Sequence, residues 1–237
     1  MTEAGALRRR ARTLVVTGLL REARLLDGLD VAVVVGGGSR PALEGRLHAV
    51  PLGSVGAVVS FGLAGGLAPD LNVGDLVVGT AAVTEQDSLP ADAHVTESWT
   101  SRLDASGQPY RLAHVAGVDR PVLEAQAKAA LQNSSRAAVV DMESHVAAAF
   151  ARARGLPFGI LRVVSDGPRD TLPAVVGAAM NPDGSISLGR IIAGLARNPS
   201  QLPSLLRTGR HANVAFRRLR GVRGLLSPGG GLLGLDL

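Results

Sequence analysis

Cysteine is absent from this 237-residue chain. Disulfides and thiolate metal sites are therefore excluded, and a reducing compartment fits. Lysine is nearly absent too: Lys128 stands alone among 25 basic residues. Aromatic residues make up 3% while hydrophobic residues reach 46%, so the core must come from Val, Leu and Ala. Few aromatics also leave few platforms for base stacking, which argues against a nucleic-acid partner. No apolar run reaches the roughly 18 residues of a membrane span. The histidines at 94, 114 and 211 show no ligand spacing, so no metal is expected. Acids are missing from one end: residues 184–237 hold eight arginines against Asp236 alone. At the other end, Arg8-Arg9-Arg10 resembles a signal n-region. Arg21 and Glu22 cut the apolar run that follows, and no small-residue cleavage site appears, so it reads as a basic leader.

The chain is long enough for one α/β domain with a full core. Residues 13–17 and 31–35 read as strands, the second a continuous β-branched run expected of a sheet covered on both faces. A short helix is expected at 19–26 and another at 41–49, with Ser39 as its cap. Residues 57–60 read as a strand leading into F-G-L-A-G-G-L, and 75–83 as the next. A long polar segment, 85–108, follows. Strands are expected at 112–115, 139–141 and 158–165. Helices are expected at 121–131, started by Pro121, and at 143–154, with Val146, Ala149, Phe150 and Ala153 inward. Residues 166–185 read as loop, and 188–197 and 199–220 as helices. The alternation gives an α/β fold: a central mixed, largely parallel sheet flanked by helices. Residues 1–185 form the expected catalytic domain and 186–237 a basic helical extension.

Chemistry concentrates between Val140 and Asp166. Glu143 opens a helix and Asp166 closes a strand, with Arg162 and Ser165 just before it. Each acid has a plain structural use, Glu143 at a helix N-terminus and Asp166 as a turn residue. Together, at the end of an apolar strand, they make a candidate site, because strand ends are where α/β folds gather their chemistry. Glycines in F-G-L-A-G-G-L let backbone N–H groups approach a ligand closely. Gly36-Gly37-Gly38-Ser39-Arg40, between a strand and a helix start, is a generic phosphate cradle. His145 either faces the site or is satisfied within its helix.

The pattern M-E-x(18)-R-x-x-S-D, preceded by F-G-L-A-G-G-L-x(6)-G-D, resembles the nucleoside phosphorylase and nucleosidase superfamily. V-D-M-E-S-H, L-R-V-V-S-D and M-N-P-D-G-S-I-S-L-G with the arginine-rich tail are similar to the hopanoid-associated phosphorylases. That resemblance implies release of adenine from adenosylhopane in hopanoid side-chain synthesis. It implies Asp166 as the acid at purine N7, which must then be protonated through partial burial. Asp in place of Asn there favours adenine. It implies Glu143 on the ribose hydroxyls, Met142 against the sugar, Ser165 orienting Asp166 and Arg162 supporting the acid. Leu63, Ala64 and Gly65 fall along the base and ribose. Asp141 stands where relatives often carry Glu, and its shorter arm falls short of a ligand.

The nucleophile stays open on the residues alone. Gly38, Ser39 and Arg40 suit inorganic phosphate as co-substrate, and the narrower resemblance implies phosphorolysis. Glu22, by contrast, aligns with the glutamate that activates water in methylthioadenosine/S-adenosylhomocysteine nucleosidases. Leu63 also stands where some phosphorylases carry Ser or Thr. A reading from another class is a non-catalytic nucleoside-binding protein at membranes. No cofactor is expected. The basic amphipathic tail reads as an ordinary packed helix or as a contact to an anionic membrane surface. A cytoplasmic protein, peripheral at the inner face of the membrane, and a homo-oligomer are the corresponding expectations. The last residues, around 229–231, read as flexible.

Overall fold

A computed structural model describes residues 12–227 other than Leu52, Met180 and Pro182. The basic leader at 8–10 and the glycine run at 229–231 lie outside the described residues. In chain order the elements are β1 (Arg12–Thr17), α1 (Leu20–Ala23), β2 (Val31–Val35), α2 (Arg40–His48), β3 (Val55–Gly66), β4 (Leu76–Val83), β5 (Ser88–Pro90), α3 (Ala93–Ala105), β6 (Arg111–Gly117), α4 (Ala125–Ser135), β7 (Val139–Asp141), α5 (Ser144–Ala153), β8 (Phe158–Asp166), α6 (Ala174–Ala179), α7 (Leu188–Arg197) and α8 (Leu202–Val222).

β3 organises the sheet. Its first half lies between β1 and β8, parallel to both. β8 pairs antiparallel with β4, β4 parallel with β6, and β6 parallel with β7. β7 then returns antiparallel to the last residues of β3, Gly65 and Gly66. Strands β3, β8, β4, β6 and β7 therefore close into a ring, with β1 and β2 as a wing and β5 at the other edge. The C-terminal ends of β1, β2, β3 and β8 open on the same side, as parallel pairing requires. This is one α/β domain with a mixed, largely parallel sheet.

Alternation along the strands fills two faces. Leu14 and Val16 of β1 join Leu43, Leu47, Ala147 and Ala151 from α2 and α5. Val15, Val59 and Phe61 point the other way, to Trp99 and Leu103 of α3 and to Phe216 and Leu219 of α8. Each such large side chain stabilises by about 1.5–3 kcal/mol on burial. Trp99 Nε1 donates to Leu225 O at 3.2 Å, tying α3 to the turn after α8. Arg21 of α1 stacks its guanidinium 4.0 Å from the Phe216 ring centre and donates to Asn213 Oδ1 at 2.9 Å. α8 thus braces α1, which carries Glu22.

Several expectations change. β2 is an edge strand with Val33 38% exposed, so its β-branched run does not mean cover on both faces. The polar segment 85–108 contains β5 and α3. Asp92 caps α3 through its side chain, and Val95, Trp99 and Leu103 supply a buried i, i+4, i+8 stripe that average polarity hid. α4 starts at Ala125, four residues after Pro121, because the carbonyl of Leu123 is taken by the Leu172 N–H. α5 buries Val146, Ala147, Ala148 and Ala151, while Ala149 and Ala153 are exposed. Alanine offers no size contrast, so the inward stripe was not readable from type. The loop read at 166–185 includes α6. The F-G-L-A-G-G segment is strand throughout rather than a turn after a strand. Among the described residues, no helix is long and apolar enough to cross a membrane.

Candidate active site

The aim of Asp166 is set by an irregularity in the sheet. β3 and β8 run in register up to Ala64 and Val164, after which Gly65 pairs with Asp166. Ser165 is the extra residue, and such a bulge re-aims the side chain beside it. Ser165 Oγ lies 3.2 Å from Ala64 O and donates to Asp166 Oδ1 at 2.7 Å. Asp166 is 5% exposed and lies over Gly65. Its other oxygen, Oδ2, is ion-paired with Lys128 Nζ from α4. Lys128 is fully buried and also donates to Gly167 O at 2.9 Å and Asp170 O at 3.0 Å.

A second charge cluster surrounds Arg162, which is fully buried on β8. Its Nη2 lies 2.5 Å from Ser60 Oγ, 3.3 Å from Ser144 Oγ and 3.6 Å from Glu143 Oε2. Its Nη1 donates to Leu63 O at 3.3 Å. Its Nε sits 2.6 Å from Asp141 Oδ2, a close ion pair without hydrogen-bond alignment. Asp141 ends β7 and accepts from the N–H groups of Glu143 (3.3 Å) and Ser144 (3.0 Å) with its other oxygen. A carboxylate there satisfies orphan donors at the start of α5. Its short arm thus serves helix and guanidinium.

Glu22 completes this cluster. Its Oε2 accepts from Gly18 N and Leu19 N, and its Oε1 from Leu63 N, each at 2.8 Å. Burial raises its proton affinity above the usual carboxyl range, opposed by Arg162 and those three N–H groups. Glu143 is pushed up to about 8, first by burial; Arg162 opposes this, while Asp141 and Glu22 add to it. Three carboxyl groups thus share one guanidinium, and protons make up the missing charge. Glycine is required where the groups crowd. A Cβ on Gly62 would lie 2.6 Å from Arg162 Nη1 and 2.7 Å from Glu22 Oε1, and one on Gly18 2.8 Å from Glu143 Oε1.

The structure therefore brings Glu22, Leu63, Ala64, Gly65, Met142, Glu143, Arg162, Ser165 and Asp166 to one end of the sheet, Met142 half-buried beside Glu143. Gly38, Ser39 and Arg40 are arranged differently. Gly37 and Gly38 adopt left-handed conformations (φ 69° and 66°), and Ser39 precedes α2 without a side-chain capping bond. Arg40 is half-exposed and turns to Glu44 (2.8 Å) and Asp119 (3.5 Å). Asp119 also meets His145 Nε2 at 3.0 Å, so His145 is held by that acid while its buried Nδ1 has no partner among the described residues. Sequence reasoning missed Lys128, Ser60 and Ser144. Lys128 carried one signal, its being the only lysine; the two serines carried none.

Several solved structures share this fold. One is a variant of the 5′-methylthioadenosine/S-adenosylhomocysteine nucleosidase of Helicobacter pylori with 5′-methylthioadenosine in its active site. It is 14% identical, with a TM-score of 0.64, 90% of this chain and 97% of that one being covered. The futalosine hydrolase of Helicobacter pylori is 15% identical, with a TM-score of 0.62 and coverage of 90% and 97%. The corresponding nucleosidase of Campylobacter jejuni is 14% identical, with a TM-score of 0.61 and coverage of 89% and 99%. No curated protein matches the chain significantly. The family model of the phosphorylase superfamily matches residues 7–181. With that match over most of its length, the chain belongs to the phosphorylase superfamily, a family of nucleoside-cleaving enzymes.

Proposed function

We propose that this site cleaves the N-ribosidic bond of an adenosyl compound and releases adenine. One observation carries the reading. The three residues Leu63, Ala64 and Gly65 are bracketed by Glu22 and Arg162 at one end and by Asp166 at the other. Two strand steps span about 7 Å, which suits a purine and its ribose laid along the backbone. Asp166 then faces the base, steadied by Ser165. Glu143, held from behind by Arg162, takes the ribose hydroxyls, and Met142 packs on the sugar. Positive charge building on the ribose is met by the carboxyl-rich cluster.

Geometry supports water as the nucleophile. Glu22 is buried beside Leu63 with raised proton affinity, which suits a base that takes a proton from water. Solved structures of similar fold are named as nucleosidases and a hydrolase. Phosphorolysis is the second reading, favoured by the left-handed Gly38 before α2, although the N–H of the neighbouring Gly37 is already taken by Gly18 O at 3.0 Å. Arg40 weakens it by pairing with Glu44 and Asp119 instead.

Adenosylhopane is the proposed substrate, on the sequence resemblance given above. The tail supports a lipid surface: Ile186, Leu188, Ile192, Leu202 and Leu206 are exposed near an arginine-rich face. The decisive experiment measures adenine release from adenosylhopane and from 5′-methylthioadenosine, each with and without phosphate. Phosphate-independent release that leaves the 5′-substituted ribose with a free anomeric hydroxyl places Glu22 at the centre. Phosphate dependence that leaves the 5′-substituted ribose as its 1-phosphate establishes phosphorolysis. Turnover of methylthioadenosine alone removes the lipid substrate.

A further inference from the structure

Lys128 is a buried cation that this reading does not yet use. It is the only lysine in a chain otherwise supplied with arginine. It is fully buried, and its three ammonium protons meet three acceptors: Asp166 Oδ2, Gly167 O and Asp170 O. Ser165 donates to the remaining oxygen of Asp166. Both oxygens of Asp166 therefore already accept, and the protons nearest its Oδ2 are those carried by Lys128. A departing purine needs one. An arginine at 128 would keep its proton throughout, whereas a lysine ammonium can pass one to the carboxylate it touches.

We propose that Lys128 supplies, through Asp166, the proton taken by the departing purine. This rests on the reading of Asp166 as the group at the base. The C1′–N9 bond breaks with its electron pair passing to the purine. N7 takes a proton from Asp166 while Lys128 Nζ passes one to Asp166 Oδ2. The pair begins as ammonium and carboxylate and ends as amine and carboxylate. Water bonds to C1′ and gives its proton to Glu22; solvent then takes that proton from Glu22 and restores the proton of Lys128. Lys128 is a positioning residue that also stores the proton, and Asp166 is the residue that touches substrate.

The charged groups facing the pair are few. Asp170 binds Gly167 N through its carboxylate and lies 3.6 Å from His211 and 4.0 Å from Arg207 of α8. Glu124 sits one turn before Lys128 on α4, and the facing stretch of β3 carries no charge. His211 is the imidazole of this group, so His211→Gln is the control and keeps the wild-type pH profile.

The test is adenine release from 5′-methylthioadenosine against pH for the wild type, Lys128→Met, Asp166→Asn and the double variant. Lys128→Met lowers kcat about 100-fold with KM within about threefold. Its alkaline limb moves to lower pH, because Asp166 alone must then hold the proton. The double variant is no slower than Asp166→Asn. A second measurement needs no variant: with one lysine, ¹⁵N-lysine labelling gives one Nζ signal, whose titration coincides with the alkaline limb of kcat/KM. Effects of the two variants that multiply, an unmoved alkaline limb in Lys128→Met, or an Nζ titration more than about one pH unit from that limb reduces Lys128 to a strut. Wild-type turnover in Asp166→Asn overturns the reading of the site itself, and the proposal with it.

Discussion

Two buried charge clusters lie on either side of one glycine-rich strand, and they are balanced differently. Around Arg162, three carboxyl groups face one guanidinium, and Glu143 is pushed up to about 8. Around Lys128, one carboxylate faces one ammonium, and backbone carbonyls take the other two protons. The first cluster is short of positive charge; the second is neutral and saturated. A ribosyl group that becomes cationic fits beside the first, because it supplies what is missing. A base that leaves with negative charge fits beside the second, because a proton is stored there. The difference is a statement about which end of the ribosidic bond each cluster serves.

The largest expected effect comes from unbalancing the first cluster further. Arg162→Met leaves Asp141, Glu143 and Glu22 buried without their cation. Breaking a buried pair in this way costs about 3–5 kcal/mol. Protonation relieves part of it, so urea unfolding should show a larger loss at pH 8 than at pH 5. An equal loss at both would mean that the acids are not held together by that guanidinium.

Glu143→Gln is the next strongest test, and it separates activity from stability. Removing the carboxyl at the ribose should lower kcat/KM by about 10²–10³ in the adenine-release assay. Stability moves the other way. In the wild type the folded protein keeps the Glu143 proton up to about 8, against an ordinary value of 4.5 in the unfolded chain. Between those values the folded state binds a proton that the unfolded state has released. Stability from this group is therefore fully present below 4.5 and falls by about 1.4 kcal/mol per pH unit as pH rises towards 8. Glutamine removes that slope, so the variant should gain on the wild type with rising pH. Parallel stability curves from pH 5 to 8 would contradict the strained state of the cluster. The Lys128 cluster, being balanced, gives Asp166→Asn no such gain.

Ser165→Ala probes the second cluster more gently. It removes the hydroxyl that bridges Asp166 Oδ1 and Ala64 O at the bulge. One hydrogen bond to a charged group is worth about 1.5–3 kcal/mol. Turnover should fall roughly tenfold to a hundredfold, with melting temperature little changed. Unchanged turnover would show that the bulge alone orients Asp166.

The sequence carried the two ends of this comparison but not the connections. Glu143, Arg162, Ser165 and Asp166 were readable because they close or follow strands with strong apolar runs, where position predicts exposure to a site. Asp141 was not readable as the acceptor for the first N–H groups of α5, since that depends on how β7 turns into the helix. The β3–β8 bulge was hidden because nothing in L-R-V-V-S-D states which residue goes unpaired. Lys128 was hidden because it arrives from α4, 38 residues before Asp166, and no local spacing encodes a contact between a helix and a strand end. Composition did mark it, through the lack of any other lysine.

The smallest expected effect lies at the outer edge of the second cluster. Arg207 of α8 approaches Asp170 Oδ1 at 4.0 Å with its side chain 56% exposed. Pairs of this kind contribute about 0–1 kcal/mol and weaken with salt. Arg207→Gln should therefore shift stability by less than about 0.5 kcal/mol and leave turnover of 5′-methylthioadenosine unchanged, because Asp170 meets Lys128 through its carbonyl rather than its carboxylate. Asp170→Asn should be equally mild if the carbonyl alone matters. A marked fall in turnover for Asp170→Asn but not for Arg207→Gln would show that the carboxylate, through its bond to Gly167 N, fixes the loop that receives the lysine. The neutral cluster would then depend on a second acid, and its contrast with the acid-rich cluster at Arg162 would narrow.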